Sequence, residues 1–215
     1  MFRLCGFLAL LVVTGPAFAE QLTFDSKELV FHPSAADMLV TSSFPFTNTG
    51  TTAVTIIDAT ASCGCTTTTL TKKTYAPGEK GEIGFAFTIA DRTGEQQKTI
   101  KVITDEPSAR PTILTMKFLL PIGPIFSSRF PEWDIGDTPM PKSVTITIPK
   151  GSDYEIKGVE SHDARVHVSL TEESPHQKYE INISIDDLKA PFSRPIDVIT
   201  NYRIFHIFIR VRSAK

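Results

Sequence analysis

Alternation of hydrophobic and polar residues runs through most of the chain and predicts β-strands. The segment 83–89 shows it best, because Ile83, Phe85, Phe87 and Ile89 fall on one face. We find no convincing run with the 3.6-residue periodicity of an amphipathic helix. Further strands are predicted at 43–47, 54–56, 100–104 and 114–120. The pattern therefore predicts an all-β protein.

The second half of the chain repeats this order of strands. Matched positions are a little under about 100 residues apart, which is one domain length. Several short strands separated by turns, about seven in each half, are typical of an immunoglobulin-like sandwich. We therefore predict two tandem immunoglobulin-like β-sandwich domains. The matched segments are 154–156 with 54–56, 179–185 with 83–89, 198–201 with 102–105, and a last strand at 205–211.

Changes in composition along the chain predict where the domains begin and end. Met1–Ala19 has the features of a secretory signal peptide: Arg3, a short apolar core and the small-x-small cleavage site Ala17-Phe18-Ala19. That core is shorter than the roughly 20 residues that span a bilayer. A Pro/Gly segment at Pro121–Pro124 separates the two halves. The predicted divisions are a signal peptide at 1–19, a first domain at 20–122 and a second domain at 123–215.

Charge and composition exclude some classes of partner. The chain has 22 basic and 24 acidic residues, and loss of Arg3 with the signal peptide leaves 21 − 24 = −3. Scattered charges of this kind give no electrostatic footprint for nucleic acid. No segment after the signal peptide is apolar enough to cross a membrane. We expect a protein of the bacterial periplasm or cell surface, where cysteines can be oxidised.

Cys63 and Cys65 are the two cysteines that would survive export, since Cys5 lies in the signal peptide. Gly64 between them permits a tight or positive-φ backbone. In an extended strand the two Cα atoms would be about 6.5 Å apart, near the upper end of the disulfide range. Three interpretations stay open: a local disulfide, a soft-metal or redox site, and thiols that are free or bonded to another chain. Further metal ligands, by composition only, are His32, Met38 and Met116.

No segment carries the residues of an active site, so no catalytic residue, cofactor or established metal site is predicted. Ser161-His162-Asp163 contains the letters of a catalytic triad, but neighbours on a strand point to opposite faces. The chain has neither a nucleophile elbow nor a phosphate-binding loop. His206 is expected to be a partly buried strand residue. The acid pairs Glu172-Glu173 and Asp186-Asp187 are expected in solvated turns.

The sequence also suggests specific roles for a tryptophan and for a glycosylation sequon. Trp133, the only tryptophan, opens the second copy, and we expect it to pack between the two domains. Asn182-Ile183-Ser184 fits the glycosylation sequon, but its predicted position in mid-strand disfavours modification.

Several motifs of the first half resemble a known family. They are the turn residues Asn48 and Gly50, the signature Ser62-Cys63-Gly64-Cys65-Thr66, the turn residues Pro77 and Gly78, and the run 98–105. Together they resemble the exported bacterial domain of unknown function 1573, a relative of Hydin-like and major-sperm-protein-like immunoglobulin folds. The resemblance covers roughly residues 22–120. It implies a seven-stranded sandwich outside the cytoplasm and no reaction, and the second copy departs from it by lacking the cysteines.

From these observations we expect an exported, non-enzymatic module that serves binding, assembly or structure in the bacterial envelope. The expected partner is an unidentified envelope or extracellular protein. The alternative is a periplasmic copper-binding or thiol-redox protein that uses Cys63 and Cys65.

Overall fold

The computed structural model describes residues 20–106 and 110–213, and every helix or strand within them is a β-strand. The predicted signal peptide, residues 1–19, lies outside the described residues. The strands are β1 Leu22–Phe24, β2 Glu28–Phe31, β3 Leu39–Asn48, β4 Val54–Ala61, β5 Thr66–Thr69, β6 Thr74–Tyr75, β7 Lys80–Thr88, β8 Glu95–Thr104, β9 Thr112–Leu119, β10 Ile125–Phe126, β11 Glu132–Asp134, β12 Lys142–Thr147, β13 Ile156–Ser161, β14 Val166–Ser174, β15 Lys178–Ile185, β16 Phe192–Thr200 and β17 Ile204–Arg212.

The first nine strands form two sheets that face each other. One sheet has the order β1-β3-β7-β5 and the other the order β2-β9-β8-β4-β6. Alternate residues of each strand point between the sheets, as a strand with one solvated face requires. The rings of Phe87 and Phe118 stack across the gap with centroids 4.1 Å apart. The predicted β-sandwich is confirmed for the first half of the chain.

The last eight strands repeat this architecture. Their sheets have the orders β10-β12-β15-β14 and β11-β17-β16-β13, which correspond strand for strand to the first pair without β6. The pairing also repeats in detail: a bulge after Ile56 shifts the register of β4 on β8, and a bulge after Ile156 does the same for β13 on β16. Each half has its own buried hydrophobic cluster. The predicted duplication is therefore present in the fold, whereas the exact division after residue 122 stays a prediction.

Some local expectations were wrong. Glu172 and Glu173 lie at the end of β14 and not in a turn, because pairing with β15 continues to Ser174 across a bulge. Trp133 does not pack between the two halves. It is buried in the second core, pairs with Val211 at the far end of β17, and donates its indole N–H to the carbonyl of Met140 at 2.9 Å. The indole therefore has both an apolar site and a hydrogen-bond acceptor within its own sandwich.

Candidate functional site

The cysteine pair lies in the tight turn between β4 and β5. Cys63 and Cys65 are disulfide-bonded, and their Cα atoms are 5.3 Å apart, closer than in an extended strand. The Thr66 amide donates to the Cys63 carbonyl at 3.2 Å, which closes the turn. Ser62 ties the turn to β8, because its amide donates to the carbonyl of Thr99 at 2.8 Å. Both cysteines are half-buried.

Gly64 lies in a tight turn, which was one of the two backbone conformations expected for it. Its φ is not in the positive region that favours glycine, and a Cβ built on it would meet no atom within 4 Å. The equivalent position in the second sandwich is Ala164. The turn itself is therefore compatible with an ordinary residue between the two cysteines.

The second sandwich closes the same turn with an ion pair. Asp163 and Arg165 stand 100 residues after Cys63 and Cys65, and the Val166 amide donates to the Asp163 carbonyl at 2.9 Å as Thr66 does to Cys63. Arg165 donates from Nε and Nη2 to the two carboxylate oxygens of Asp163, at 3.0 and 2.7 Å. This bidentate pair replaces a covalent bond at an equivalent place.

The ion pair changes the acidity of its carboxyl group. Hydrogen bonds from the Arg165 side chain and amide hold the pKa of Asp163 well below its ordinary value, and the charge of Arg194 acts in the same direction. The same side-chain contact raises the pKa of Arg165. Both groups are therefore charged at neutral pH and form a salt bridge with one another.

A second polar cluster adjoins this turn on the outer face of β16 and β17. Asp197 accepts from His162 Nε2 at 3.1 Å and from His206 Nδ1 at 3.0 Å. Burial alone would raise the pKa of Asp197, but the hydrogen bonds from the two histidines outweigh it and the pKa is lowered. The letters Ser161-His162-Asp163 form no triad, because His162 pairs with Asp197 and Asp163 with Arg165. His206 is half-buried on its strand, as expected.

The predicted turn residues of the first half lie together at the end of the first sandwich that is opposite the disulfide turn. Asn48 is fully buried, and its Nδ2 donates to the carbonyls of Thr52 and Tyr75 at 2.8 and 2.9 Å. Its Oδ1 accepts from the Gly50 amide, and its carbonyl accepts from the Gly78 amide. Gly78, which follows Pro77, has a φ of 76°, so this position does require glycine. These residues are structural, and β7 separates them from the cysteines by about 25 Å.

Arg203 is the central residue of the junction between the two sandwiches. Arg203 is 7% exposed and follows β16 in the second half. Its Nη1 donates to the carbonyl of Ala90 at 2.7 Å, and its Nη2 donates to the carbonyls of Ala35 and Asp37. Its Nε is buried and has no hydrogen-bond partner among the described residues. Sequence patterns did not reveal this residue, because one arginine in a loop has no periodicity or motif.

The junction has further contacts. Arg129 of the second half pairs with Asp91 of the first at 2.7 Å, and the Ser152 hydroxyl donates to the carbonyl of Ile122 at 2.7 Å. A Cβ on Gly123 would come within 2.2 Å of Thr93 Cγ2, so the connecting chain itself is packed against the first sandwich. The two halves are joined by specific contacts as well as by the chain.

Within the described residues, the proposed further ligands His32, Met38 and Met116 occupy two separate places. Among residues 20–106 and 110–213, no group of three or more His, Cys, Asp or Glu side chains could hold a metal ion. Met116 is fully buried in the first core, and His32 and Met38 lie in the segment between β2 and β3. The same described residues contain no helix that could span a membrane.

The first sandwich is similar to a known family of proteins. Residues 22–118 match the family described as "Protein of unknown function (DUF1573)". The match covers less than half of the chain and concerns the first sandwich alone. The resemblance inferred from the cysteine signature is thus confirmed, and the DUF1573 match ends before the second sandwich begins. No curated protein matches the chain.

Solved structures with a similar fold include three with wide coverage. A protein of unknown function from Porphyromonas gingivalis W83 is 11% identical, with 90% of this chain and 100% of that chain covered and a TM-score of 0.38. The YadV chaperone is 10% identical, with coverage of 89% and 98% and a TM-score of 0.38. A PapD-like domain of human CEP192 is 11% identical, with coverage of 56% and 99% and a TM-score of 0.41. These values are too low to transfer a function to this protein.

Proposed function

We propose that this protein is an exported, non-enzymatic module of the bacterial envelope that binds another protein. The observation that carries the proposal is a pair of exposed aromatic rings on the second sandwich. Phe130 is 61% exposed and Phe208 is 42% exposed, and their rings are stacked with centroids 6.2 Å apart. Large exposed apolar side chains that lie together mark interaction surfaces more often than single ones do.

Backbone hydrogen bonds fix this aromatic pair in place. The Phe208 amide donates to the carbonyl of Arg129 at 2.8 Å, which holds the segment before β11 against β17. Ile204 lies on the same face of β17 and is 44% exposed. The surface, defined here as Phe130, Ile204 and Phe208, is thus presented on a rigid sheet, which lowers the entropy lost on binding.

The cysteine turn supports a structural and not a catalytic use of the disulfide. An ion pair closes the equivalent turn of the second sandwich with the same backbone hydrogen bond. Because a disulfide closes this turn in one sandwich and an ion pair closes it in the other, the common requirement is the closed turn and not the chemistry of the sulfurs. The copper-binding alternative gains no support, since the two sulfurs are bonded to each other and the described residues supply no further cluster of ligands.

The binding proposal is tested by photo-crosslinking in the native host. A photoreactive amino acid at position 130 should give one discrete protein adduct, and Phe208→Ser in the same chain should reduce its yield at least about fivefold. The matched control is a photoreactive residue at Leu39, an exposed apolar position of the first sandwich. Equal adducts from both positions, or none from position 130, would contradict the proposed surface.

Export is tested on the same cells. Fractionation should recover the protein in the periplasm or at the cell surface, with an intact mass that corresponds to a chain beginning at Glu20. A cytoplasmic protein that keeps residues 1–19 would refute the envelope assignment.

A further inference from the structure

The end of β7 connects the disulfide turn to the junction between the sandwiches. The Thr88 amide donates to the carbonyl of Cys65 at 2.9 Å, and the next amide, that of Ile89, donates to the carbonyl of Met38 at 2.9 Å. The carbonyl of Ala90 then accepts from Arg203 Nη1 at 2.7 Å. Three consecutive residues therefore contact the disulfide turn, the segment between β2 and β3, and the second sandwich.

Arg203 makes the junction sensitive to these backbone positions. None of its described hydrogen bonds involves a carboxylate, and their acceptors are main-chain carbonyls. They belong to two segments, 35–37 and 90–92. A buried charge without partners is costly, and a hydrogen bond weakens steeply as its geometry is lost. Small displacements of either segment should therefore weaken the contact between the sandwiches.

Only one of the two equivalent turns lies beside this junction. The Cys63–Cys65 turn contacts Thr88, two residues before Ala90. The Asp163–Arg165 turn lies beyond Ser161, which pairs with Ile196, at the opposite end of β16 from Thr200 and the loop that carries Arg203. The turn that adjoins the junction is therefore the one closed by a reducible bond.

We propose that the Cys63–Cys65 disulfide is a redox-sensitive control of the contact between the two sandwiches. With the bond intact, the turn holds the Cys65 carbonyl where it accepts from Thr88, and the end of β7 presents Ala90 to Arg203. Cleavage releases the turn, loosens residues 88–90 and weakens the contact with Arg203. This regulation goes beyond the proposed binding function and needs no partner protein.

The chemistry is a thiol–disulfide exchange with a dithiol reductant. A thiolate of the reductant attacks one sulfur of the pair and forms a mixed disulfide, and the departing sulfur takes up a proton. The second thiol of the reductant then attacks the mixed disulfide and displaces the other cysteine. The reductant leaves as a cyclic disulfide. In total the S–S bond of the protein gains two electrons and two protons, which the dithiol loses. Cys63 and Cys65 are half-buried residues in a turn, and neither is fully enclosed in the core.

The test is amide hydrogen exchange on the purified mature chain, compared between the oxidised protein and the protein reduced with dithiothreitol. Alkylation followed by an intact mass measurement verifies the thiol state of each sample. Reduction should speed exchange at the Thr88 and Ile89 amides about fivefold or more, as expected for the loss of one hydrogen bond. The Gly78 amide, at the far end of the first sandwich, is the internal control, and its exchange should rise less than that of the Thr88 and Ile89 amides. Small-angle X-ray scattering should show a larger radius of gyration after reduction.

The chain itself supplies a matched variant. Cys63→Asp/Cys65→Arg copies the turn of the second sandwich, and its exchange at Thr88 and Ile89 should resemble that of the oxidised protein with or without dithiothreitol. Cys63→Ser/Cys65→Ser should resemble the reduced protein under both conditions. Arg203→Met should show the scattering of the open molecule in either thiol state.

Two results would overturn the proposal. One is complete reduction with unchanged exchange at Thr88 and Ile89, which would show that the turn holds without its covalent bond. The other is a uniform rise that includes the Gly78 amide, which would show that the bond stabilises the whole first sandwich and not its junction. Either result leaves the aromatic surface of Phe130 and Phe208 untouched, so it is separable from failure of the binding function.

Discussion

Single buried residues decide how the ends of the first sandwich are closed, and Asn48 is the clearest case. Its side chain uses both amide hydrogens and its oxygen in hydrogen bonds to the backbone. The sequence identified Asn48 as a turn residue but not as the buried connection between the segments of Thr52 and Tyr75. That connection depends on long-range packing, which a turn motif does not encode.

Substitution of Asn48 should be strongly destabilising. Asn48→Ala leaves two carbonyls and one amide without their partner, and we expect a loss of roughly 2–4 kcal/mol in the free energy of unfolding, measured by urea denaturation. Asn48→Asp should cost at least as much, because it buries a carboxylate that cannot donate. The control is Asn201→Ala, an exposed cap of the second sandwich, for which we expect under about 1 kcal/mol. Equal losses at both positions would contradict this account.

Asp163 should make the free energy of unfolding depend on pH. Its pKa is lower in the folded protein than the ordinary value of about 3.9, so the folded state favours the charged carboxylate. Its contribution to stability is therefore complete above about pH 4 and is lost as the pH falls toward the folded value. Urea midpoints measured from pH 6 to pH 3 should fall less steeply for Asp163→Asn than for the unmodified protein.

Arg165→Gln should also make the fall of the urea midpoint between pH 6 and pH 3 less steep, because it removes the donor that lowers the pKa of Asp163. A variant that keeps the full pH dependence would show that another carboxylate causes it.

At the level of strands and turns, alternation predicted the long elements well. The strands β7, β9, β15 and β17 bury the residues that the pattern placed on one face. Very short strands such as β6 and β10 were not predicted, because two residues carry no periodicity. The equivalence of Cys63–Cys65 and Asp163–Arg165 was also missed. A covalent bond and an ion pair share no residue type, and only the spacing of 100 residues connects them.

The disulfide should add only modestly to the stability of the first sandwich as a whole. It closes a very short loop, so it removes less chain entropy from the unfolded state than the ~3 kcal/mol expected for a 15-residue loop. Cys63→Ser/Cys65→Ser should therefore lower the unfolding free energy of the first sandwich by about 1–2 kcal/mol in urea denaturation without reductant. A loss above about 4 kcal/mol would mean that the disulfide has a larger role in folding than a turn closure.

At the level of the whole molecule, Arg203 determines whether the sandwiches behave as one unit. Arg203→Met should remove hydrogen bonds to both segments of the first sandwich and uncouple the two halves, at a cost of roughly 2–4 kcal/mol. Calorimetry should then resolve two separate unfolding transitions where the unmodified chain shows stronger coupling. Arg203→Lys is the matched control: it keeps the charge but cannot reach four carbonyls, so partial uncoupling is expected. An unchanged single transition in Arg203→Met would contradict the assignment.

The duplication could be predicted from the sequence, but the junction could not. Matched strand patterns gave two copies of one sandwich, and the fold repeats them down to the bulges after Ile56 and Ile156. The junction is built from backbone carbonyls of Ala35, Asp37 and Ala90, whose positions depend on the folded loops. Main-chain acceptors have no sequence signature.

The parallel pairing of terminal strands has a mechanical consequence. In the first sandwich β2 lies parallel to β9, and in the second β11 lies parallel to β17. Tension that pulls the two ends of either sandwich apart draws these strands in opposite directions along their length. Their hydrogen bonds are then loaded in shear, all together, and not opened one after another. Forced extension of this chain would therefore meet two shear clamps in series, and the rate of their rupture would set the lifetime of the protein under load.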